Sequence, residues 1–346
     1  MFLKFLLIFV PISIGLAWFG ADPLLIFALS CLAIVPLADL LAKATERLAA
    51  ALGPTVGGLV SATMGNAPEL IVCGFALQKG LVPVVKSAIV GTVLMNLLLL
   101  PGIAMVVGGM RRERQTFNKI TAGMSAALLS LASVGLVVPT LFQMSSKSAE
   151  VELSLEIASI LFGLYLLSLV FTLKTHRHLF VRPADPDEAH ASQGSLGLML
   201  GQLILIAIVL AVVSENMTSS LDPAVEALHL SEAFAGVIIL ASLGNVAQLI
   251  SAVRFAKADN MDLAMSTTIG AATQVALAVA PILMFVGLLL GQPMDLLFST
   301  FQVVTLTFAV FLAGQFTRDG ESNWMEGAML VALYLIFALG FYFGAA

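Results

Sequence analysis

Long apolar runs recur from one end of the chain to the other, and they restrict its fold more than any other feature. Most are long enough to cross a hydrocarbon core of about 30 Å as a helix. Only 11% of the 346 residues are charged, against about 25% in soluble domains, so a water-soluble fold would lack polar surface. The sequence predicts an all-α integral membrane protein with 11 transmembrane helices. The predicted spans are residues 3–19, 24–42, 55–78, 82–109, 120–143, 153–173, 196–216, 231–256, 261–291, 294–317 and 325–344.

The first 20 residues admit two interpretations. They carry one lysine, then an apolar run, then small residues near Gly20, which is also the pattern of a cleaved signal peptide. We favour a retained helix, because Pro11 and Trp18 fit a spanning segment and no clean small-x-small cleavage site is present.

The distribution of basic residues predicts the orientation of the chain. With the loops numbered from a cytoplasmic N-terminus, 13 of the 16 lysines and arginines fall on the cytoplasmic side, and only Lys79, Lys86 and Lys147 fall outside. Cytoplasmic loops of membrane proteins carry such an excess of positive charge. We therefore expect a cytoplasmic N-terminus and a C-terminus on the opposite side.

The chain also repeats itself at an offset of 179 residues. Gly65–Leu70 aligns with Gly244–Leu249, and Gly91 aligns with Gly270 without a gap. An odd number of spans in each half forces the second half to enter from the opposite side, which gives the inverted repeat of many secondary transporters. The predicted organisation is an extra N-terminal helix in residues 1–20, a five-helix repeat in 21–173, a polar linker rich in acidic residues and histidine in 174–195, and a second five-helix repeat in 196–346.

One carboxylate, that of Glu69, lies deep inside the third predicted span. Charged groups in hydrocarbon cost several kcal/mol unless they have partners, so they mark functional sites. Asn66 precedes Glu69 by three residues, so we expect both on one side of the helix. Pro68 frees a backbone carbonyl, and Thr63 adds a hydroxyl. Such oxygens are the ligands that hard cations such as Ca²⁺ prefer, so Glu69 is predicted to bind a cation. The alternative is that Glu69 is a neutral, hydrogen-bonded carboxyl group retained for packing.

The second half repeats this polar set at the same spacing. Asn245 and Gln248 match Asn66 and Glu69, so the four are predicted to form one cation site. Polar side chains in membrane spans can instead hold helices together, but a two-fold set favours a site. The residues expected to line the cavity around it are Thr63, Ser242, Thr92, Asn96, Thr273 and Gln274.

A carboxyl group away from water can hold a proton or share a cation, but not both at once. That competition is what an antiporter requires, and it makes Glu69 the predicted proton-coupling residue. The sequence has no basic cluster with interleaved aromatic residues, so we do not expect nucleic-acid binding. The expected partners are small cations and the lipid bilayer, with no cofactor beyond the transported ions; the oligomeric state is not predicted.

The two repeated motifs resemble those of a known protein family. Gly65–Leu70 and Gly244–Leu249 are similar to the paired signatures of the Ca²⁺/H⁺ exchangers of the Ca²⁺/cation antiporter superfamily. Thr45–Glu46 and Ser214–Asn216 match a further pair, which makes Glu46 and Glu215 candidate gating acids. The resemblance implies eleven helices with an extra N-terminal one, an acidic linker, and export of cytosolic Ca²⁺ driven by protons. The likeness extends through Gly91–Leu100, Asn260–Ala264, Gln274–Leu277 and Asp319–Gly327.

The second signature departs from the family at one position. The family motif ends in Gly-Asn-Ala-Ala-Glu, and here Gln248 stands where the glutamate is expected. Glutamine keeps the shape and an oxygen ligand but carries neither charge nor proton. Glu69 is then the sole deep carboxylate in the predicted spans, which puts Ca²⁺ affinity and proton stoichiometry in question, whether the change is natural or engineered.

Several functions therefore stay open. A Ca²⁺/H⁺ antiporter is the leading hypothesis, and an exchanger of the same fold for Mn²⁺, K⁺ or Na⁺, or a transport-impaired glutamate-to-glutamine variant, is the alternative. A channel or a transport-inactive regulatory protein is less consistent with an inverted repeat. We do not expect an enzyme, because all four histidines lie outside the predicted spans and no His-Glu-x-x-His pair is present.

Overall fold

The computed structural model describes residues 2–142, 147–176 and 195–344, and these residues are almost entirely helical. Within them, nine helices are long and apolar enough to cross a membrane, and two shorter apolar helices are present. This confirms the predicted class of an all-α membrane protein. We label the helices α1 Phe9–Trp18, α2 Pro23–Gly53, α3 Val56–Gln78, α4 Val82–Gly109, α5 Lys119–Leu141, α6 Lys147–Thr175, α7 Leu196–Ser219, α8 Glu232–Lys257, α9 Met261–Leu289, α10 Thr300–Phe316 and α11 Trp324–Phe343.

The remaining elements are short. Helical turns at Phe2–Leu6 and Leu221–Ala227 precede α1 and follow α7. Strand β1 (Gln115–Thr116) pairs antiparallel with β2 (Glu321–Ser322), which ties the α4–α5 loop to the α10–α11 loop. Most of the linker predicted for 174–195 lies outside the described residues.

Helix α3 is interrupted within the first motif. A first half-helix ends at Met64, and a second begins at Ala67 with Pro68 in its first turn, where a missing N–H is harmless. Asn66 is at the N-cap position of the second half-helix, makes no capping hydrogen bond with its side chain, and has a non-helical backbone, with φ −108° and ψ 22°. Asn66 and Glu69 therefore lie at the start of the second half-helix, and the interruption between Met64 and Ala67 was not predicted. The matching motif lies in an unbroken part of α8, Ala241–Lys257.

Wider π-helical turns occur at matching places in α4 and α9. Met95–Leu99 and Val275–Val279 are both π-helical, at nearly the same offset as the sequence repeat. Such turns are uncommon and are often found at functional sites. Ala235–Leu240 of α8 and Phe171–Thr175 of α6 are also π-helical.

The segment before α10 is extended rather than helical, which corrects the predicted start of that span at residue 294. Its apolar side chains Met294, Leu296 and Phe298 alternate in sequence and are all buried, the period-two pattern of extended chain. The helix begins only after Ser299, which forms a capping box with Gln302.

Glycines allow helices from the two halves of the chain to pack closely. A Cβ on Gly102 of α4 would lie 2.9 Å from the carbonyl oxygen of Gly327 in α11. A Cβ on Gly236 of α8 would lie 2.5 Å from the Ser87 side chain in α4. Small residues favour helix association in membranes because they let backbones approach closely. These glycines therefore allow helices of the first half of the chain to pack directly against helices of the second half.

Candidate functional site

The two motifs meet where Glu69 lies against Gly244. Glu69 is in the first turn of the second half of α3, and its side chain is buried. A Cβ on Gly244 would lie 2.5 Å from Glu69 Oε1 and 2.6 Å from its Cδ. Gln248 is one helical turn beyond Gly244, on the same face of α8. The carboxylate therefore lies between the two halves of the chain.

Five buried side-chain oxygens around this contact have no hydrogen-bond partner among the described residues. An unsatisfied buried polar atom costs about 1–3 kcal/mol, and native proteins contain few of them. A group of five does not stabilise the fold, but it offers the oxygen ligands that a hard cation requires. The oxygens are Glu69 Oε1, Glu69 Oε2, Asn66 Oδ1, Gln248 Oε1 and Asn96 Oδ1.

The two motif asparagines are bound differently. Asn66 Nδ2 donates to Gln274 Oε1 at 2.7 Å, which leaves the side-chain oxygen Asn66 Oδ1 available. Asn245 Oδ1 instead accepts from Asn96 Nδ2 at 2.6 Å, and Asn245 Nδ2 donates to Ala241 O at 2.6 Å. In this arrangement the free oxygen of that pair belongs to Asn96 and not to Asn245, which was the predicted ligand.

A cavity of about 800 Å³ leads toward this site between α3, α5, α6 and α9. It runs from Asn118 and Asp262, at the starts of α5 and α9, to Gln274, the partner of Asn66. Its wall is rich in hydroxyl groups, which can solvate a passing ion. These belong to Ser61, Thr121, Ser125, Tyr165, Ser168, Thr172, Ser266 and Thr273.

Only two of the predicted lining residues, Thr273 and Gln274, line this cavity. Thr63 is exposed and donates to the carbonyl oxygen of Leu59 within its own helix. Ser242 donates to Ile238 O in α8. Thr92 is buried, and its carbonyl oxygen accepts from Asn96. The sequence indicated which side chains are polar, but the helix rotations determine which of them face the cavity.

Sequence reasoning missed the hydroxyls of α5 and α6. Thr121 and Ser125 are one turn apart, as are Ser168 and Thr172, so each pair lies on a single helix face. That spacing predicts a hydroxyl-bearing face on each helix, but the sequence does not show that these faces line a cavity. The hydroxyl of Tyr165 donates to Ala62 O at 3.0 Å and ties α6 to α3 at the cavity wall.

The two candidate gating acids lie on α2 and α7. Glu46 and Glu215 are both exposed, and neither lines the cavity. The hydroxyls of their neighbours Thr45 and Ser214 are buried. Within the described part of the chain, no cluster of three or more histidine, cysteine, aspartate or glutamate side chains could hold a metal ion.

The chain matches known proteins over nearly its whole length. The family model described as sodium/calcium exchanger protein matches twice, at residues 23–174 and 198–343. A Ca²⁺/H⁺ antiporter of Synechocystis sp. is 40% identical, over 98% of this chain and 96% of that protein. The Ca²⁺/H⁺ antiporter ChaA of Bacillus subtilis is 37% identical, over 96% of both chains.

Solved structures show the same fold. The structure of native YfkE superimposes with a TM-score of 0.87 at 34% identity and covers 99% of both chains. The H⁺/Ca²⁺ exchanger CAX, at 16% identity, has a TM-score of 0.80 over 97% of this chain and 87% of that one, and shows the shared fold alone. The resemblance inferred from the motifs is confirmed: the chain belongs to the sodium/calcium exchanger protein family.

Proposed function

We propose that this protein is a secondary active transporter that exchanges cytosolic Ca²⁺ for protons by alternating access. The observation that carries the proposal is the buried Glu69 carboxylate, which lies against Gly244 and is accompanied by unpaired amide oxygens. The names of relatives with about 40% identity over the full chain supply the ion pair, Ca²⁺ and H⁺.

The proposed layout is 11 spans, with an extra helix in residues 1–20, inverted five-helix repeats in 21–173 and 196–346, and a linker in 174–195. Two features support it. The family model matches the chain twice, with limits close to the two repeats. The π-helical turns of α4 and α9 also occupy matching positions. Two halves of opposite topology can expose a shared site to each side in turn.

The orientation with a cytoplasmic N-terminus makes the cavity open to the cytosol. Its mouth lies at Asn118 and Asp262, beside the loops that carry Arg112 and Lys257. These loops belong to the side that holds 13 of the 16 basic residues. The structure would thus represent a state that is ready to receive a cytosolic cation.

In the proposed mechanism, a cation passes the hydroxyl-rich wall and reaches Asn66, whose amide is oriented by Gln274. It binds to oxygens of Glu69, Asn66, Gln248 and Asn96. The C-terminal end of the first α3 half-helix, which is electronegative, lies at the same break. Asn245 would contribute its oxygen only after its hydrogen bond to Asn96 breaks, which we assign to the opposite conformation.

Proton coupling follows from the chemistry of Glu69. Protonation neutralises the carboxylate and removes the one negative charge among the proposed ligands, so the cation leaves. Loss of the proton restores the ligand. Gln248 cannot take part in this exchange, since an amide does not titrate.

Sealed vesicles containing the purified protein test the proposal. A Ca²⁺ gradient should drive proton movement in the opposite direction, detected with an internal pH dye. Mn²⁺, Na⁺ and K⁺ should be compared in the same vesicles. Proton movement driven by Na⁺ or K⁺ but not by Ca²⁺ would replace Ca²⁺ as the proposed substrate, and cation uptake without proton movement would refute antiport.

A further inference from the structure

Helix α9, which lines the cavity, corresponds to α4 at the repeat offset of 179 residues. Gly270 lines the cavity, and a Cβ placed on it would meet no atom within 4 Å. Its counterpart at the repeat offset is Gly91 of α4, where a Cβ would overlap the backbone of Val237 in α8. The same position is thus open on the cavity side and closed on the opposite side. The α4–α8 contact is the closed counterpart of the cavity.

Lys86 of α4 lies next to that closed counterpart, since its neighbour Ser87 is part of the α4–α8 contact. At the same offset, the cavity-lining residues Met265 and Ser266 correspond to Lys86 and Ser87. Ser87 packs against Gly236 of α8 and accepts a hydrogen bond from Gln302 at the start of α10. When this end opens, Lys86 would line its mouth, as Met265 lines the mouth that is open here.

The two mouths carry different charges. At the cavity mouth, the carboxylate of Asp262 is exposed and accepts the backbone N–H of Asn118, and it forms no ion pair within the described residues. At the opposite end, Asp295 forms an ion pair with Lys86, whose side chain is only 16% exposed. Lys86 also lies 5.9 Å from the ring centroid of Phe298. The acidic residue at the cavity mouth thus has no ion-pair partner within the described residues, whereas the acidic residue at the opposite end is paired with Lys86.

We infer that Lys86 lowers the cation affinity of the outer mouth, because it neutralises Asp295, whereas Asp262 at the inner mouth has no ion-pair partner within the described residues. The inference rests on the proposed function and concerns the approach of the ion, not its binding at Glu69. A charge at a mouth raises the local concentration of ions of opposite sign, and the effect decreases as salt screens it. Pairing with Lys86 therefore weakens the attraction of the outer mouth for cations, which favours release on that side.

The pair is expected to persist when the outer end opens. The contact between Asp262 and the N–H of Asn118 joins α9 to the start of α5, and it is intact beside the open cavity. The Lys86–Asp295 pair likewise joins α4 to the segment that leads into α10. Neither contact crosses the α4–α8 surface, so opening need not break it.

The test uses the residue that the repeat itself supplies. In Lys86→Met, Asp295 is unpaired, and the half-saturating Ca²⁺ concentration measured from the outer face should fall by about three- to ten-fold at low ionic strength. The value measured from the cavity face should not change. Right-side-out and inside-out vesicles separate the two faces. At about 0.5 M salt the difference should largely disappear.

Two further variants keep the inference falsifiable. The double variant Lys86→Met with Asp295→Asn restores a neutral mouth and should return the outer value to that of the wild type. Asp262→Asn should raise the half-saturating concentration on the cavity face alone. An equal change on both faces, or a double variant that keeps the Lys86→Met value, would overturn the inference. Absence of Ca²⁺-driven proton movement in the wild type would instead refute the proposed function.

Discussion

The Glu69 carboxylate lies directly against the backbone of Gly244, so two residues from equivalent motifs in the two halves of the chain are in contact. Glycine is required there because a Cβ would lie 2.5 Å from Glu69 Oε1. Any side chain at position 244 must displace the carboxylate or separate α3 from α8. The contact therefore links helix packing to the position of the proposed ligand.

Gly244→Ala should reduce Ca²⁺ transport strongly while the protein still folds. An extra methyl group in a packed interior costs about 1–3 kcal/mol, and here it would move the carboxylate away from the amide oxygens. Ca²⁺ uptake into vesicles and a detergent melting curve measure the two effects. Gly163→Ala in α6 is the matched control, since a Cβ there meets no atom within 4 Å. Equal uptake by both variants would contradict the assignment.

Glu69→Gln should reduce both Ca²⁺ uptake and coupled proton movement to background. Glutamine preserves the shape but leaves no titratable group among the proposed ligands. The folded state should be at least as stable, because an unpaired buried carboxylate is replaced by a neutral amide. Glu226→Gln, at an exposed position between α7 and α8, is the control. Near wild-type uptake by Glu69→Gln would rule out Glu69 as the proton carrier.

The hydrogen bond from Asn66 to Gln274 should contribute to cation affinity. Gln274→Leu removes the acceptor that orients the Asn66 amide. A neutral hydrogen bond contributes about 0.5–1.5 kcal/mol, so the half-saturating Ca²⁺ concentration should rise by about two- to ten-fold. A double-mutant cycle with Asn66→Ala should show that the two effects are not additive. Strictly additive effects would show that the two residues act independently.

The sequence was sufficient to predict the helical membrane class and the deep carboxylate. Both follow from local chemistry, because apolar runs need lipid and Glu69 is expensive inside one. Gly65 and Pro68 flank the interruption of α3, which was not predicted. The extended segment at Met294–Phe298 was missed because its alternation was hidden inside an apolar run.

The pairing of amides could not be predicted from the sequence. Asn66 and Asn245 occupy the same place in the repeat, yet one has a free carbonyl oxygen and the other donates and accepts within the protein. The two backbones also differ, since Asn66 lies at the break in α3 and Asn245 lies in an unbroken part of α8. A symmetric sequence pattern cannot contain this information.

Gln248 raises a question of charge at the proposed site. Its Oε1 is buried and has no partner among the described residues, so it is available as a neutral ligand. With one carboxylate, a bound divalent cation leaves an excess positive charge in a region of low dielectric constant, which is costly. We therefore expect weak Ca²⁺ binding by the native sequence.

Gln248→Glu should strengthen Ca²⁺ binding and make it more dependent on pH. Two carboxylates neutralise one Ca²⁺, and two protons can replace it, so the charge balances in both loaded states. Affinity should rise most at high pH, where both groups are ionised, and fall more steeply on acidification than in the native protein. Ca²⁺ uptake against pH, under a clamped membrane potential, measures both forms. If the substitution lowers Ca²⁺ transport or leaves the affinity and pH profile unchanged, Gln248 belongs to a site tuned for a different cation, and the comparison with Mn²⁺, Na⁺ and K⁺ then identifies it.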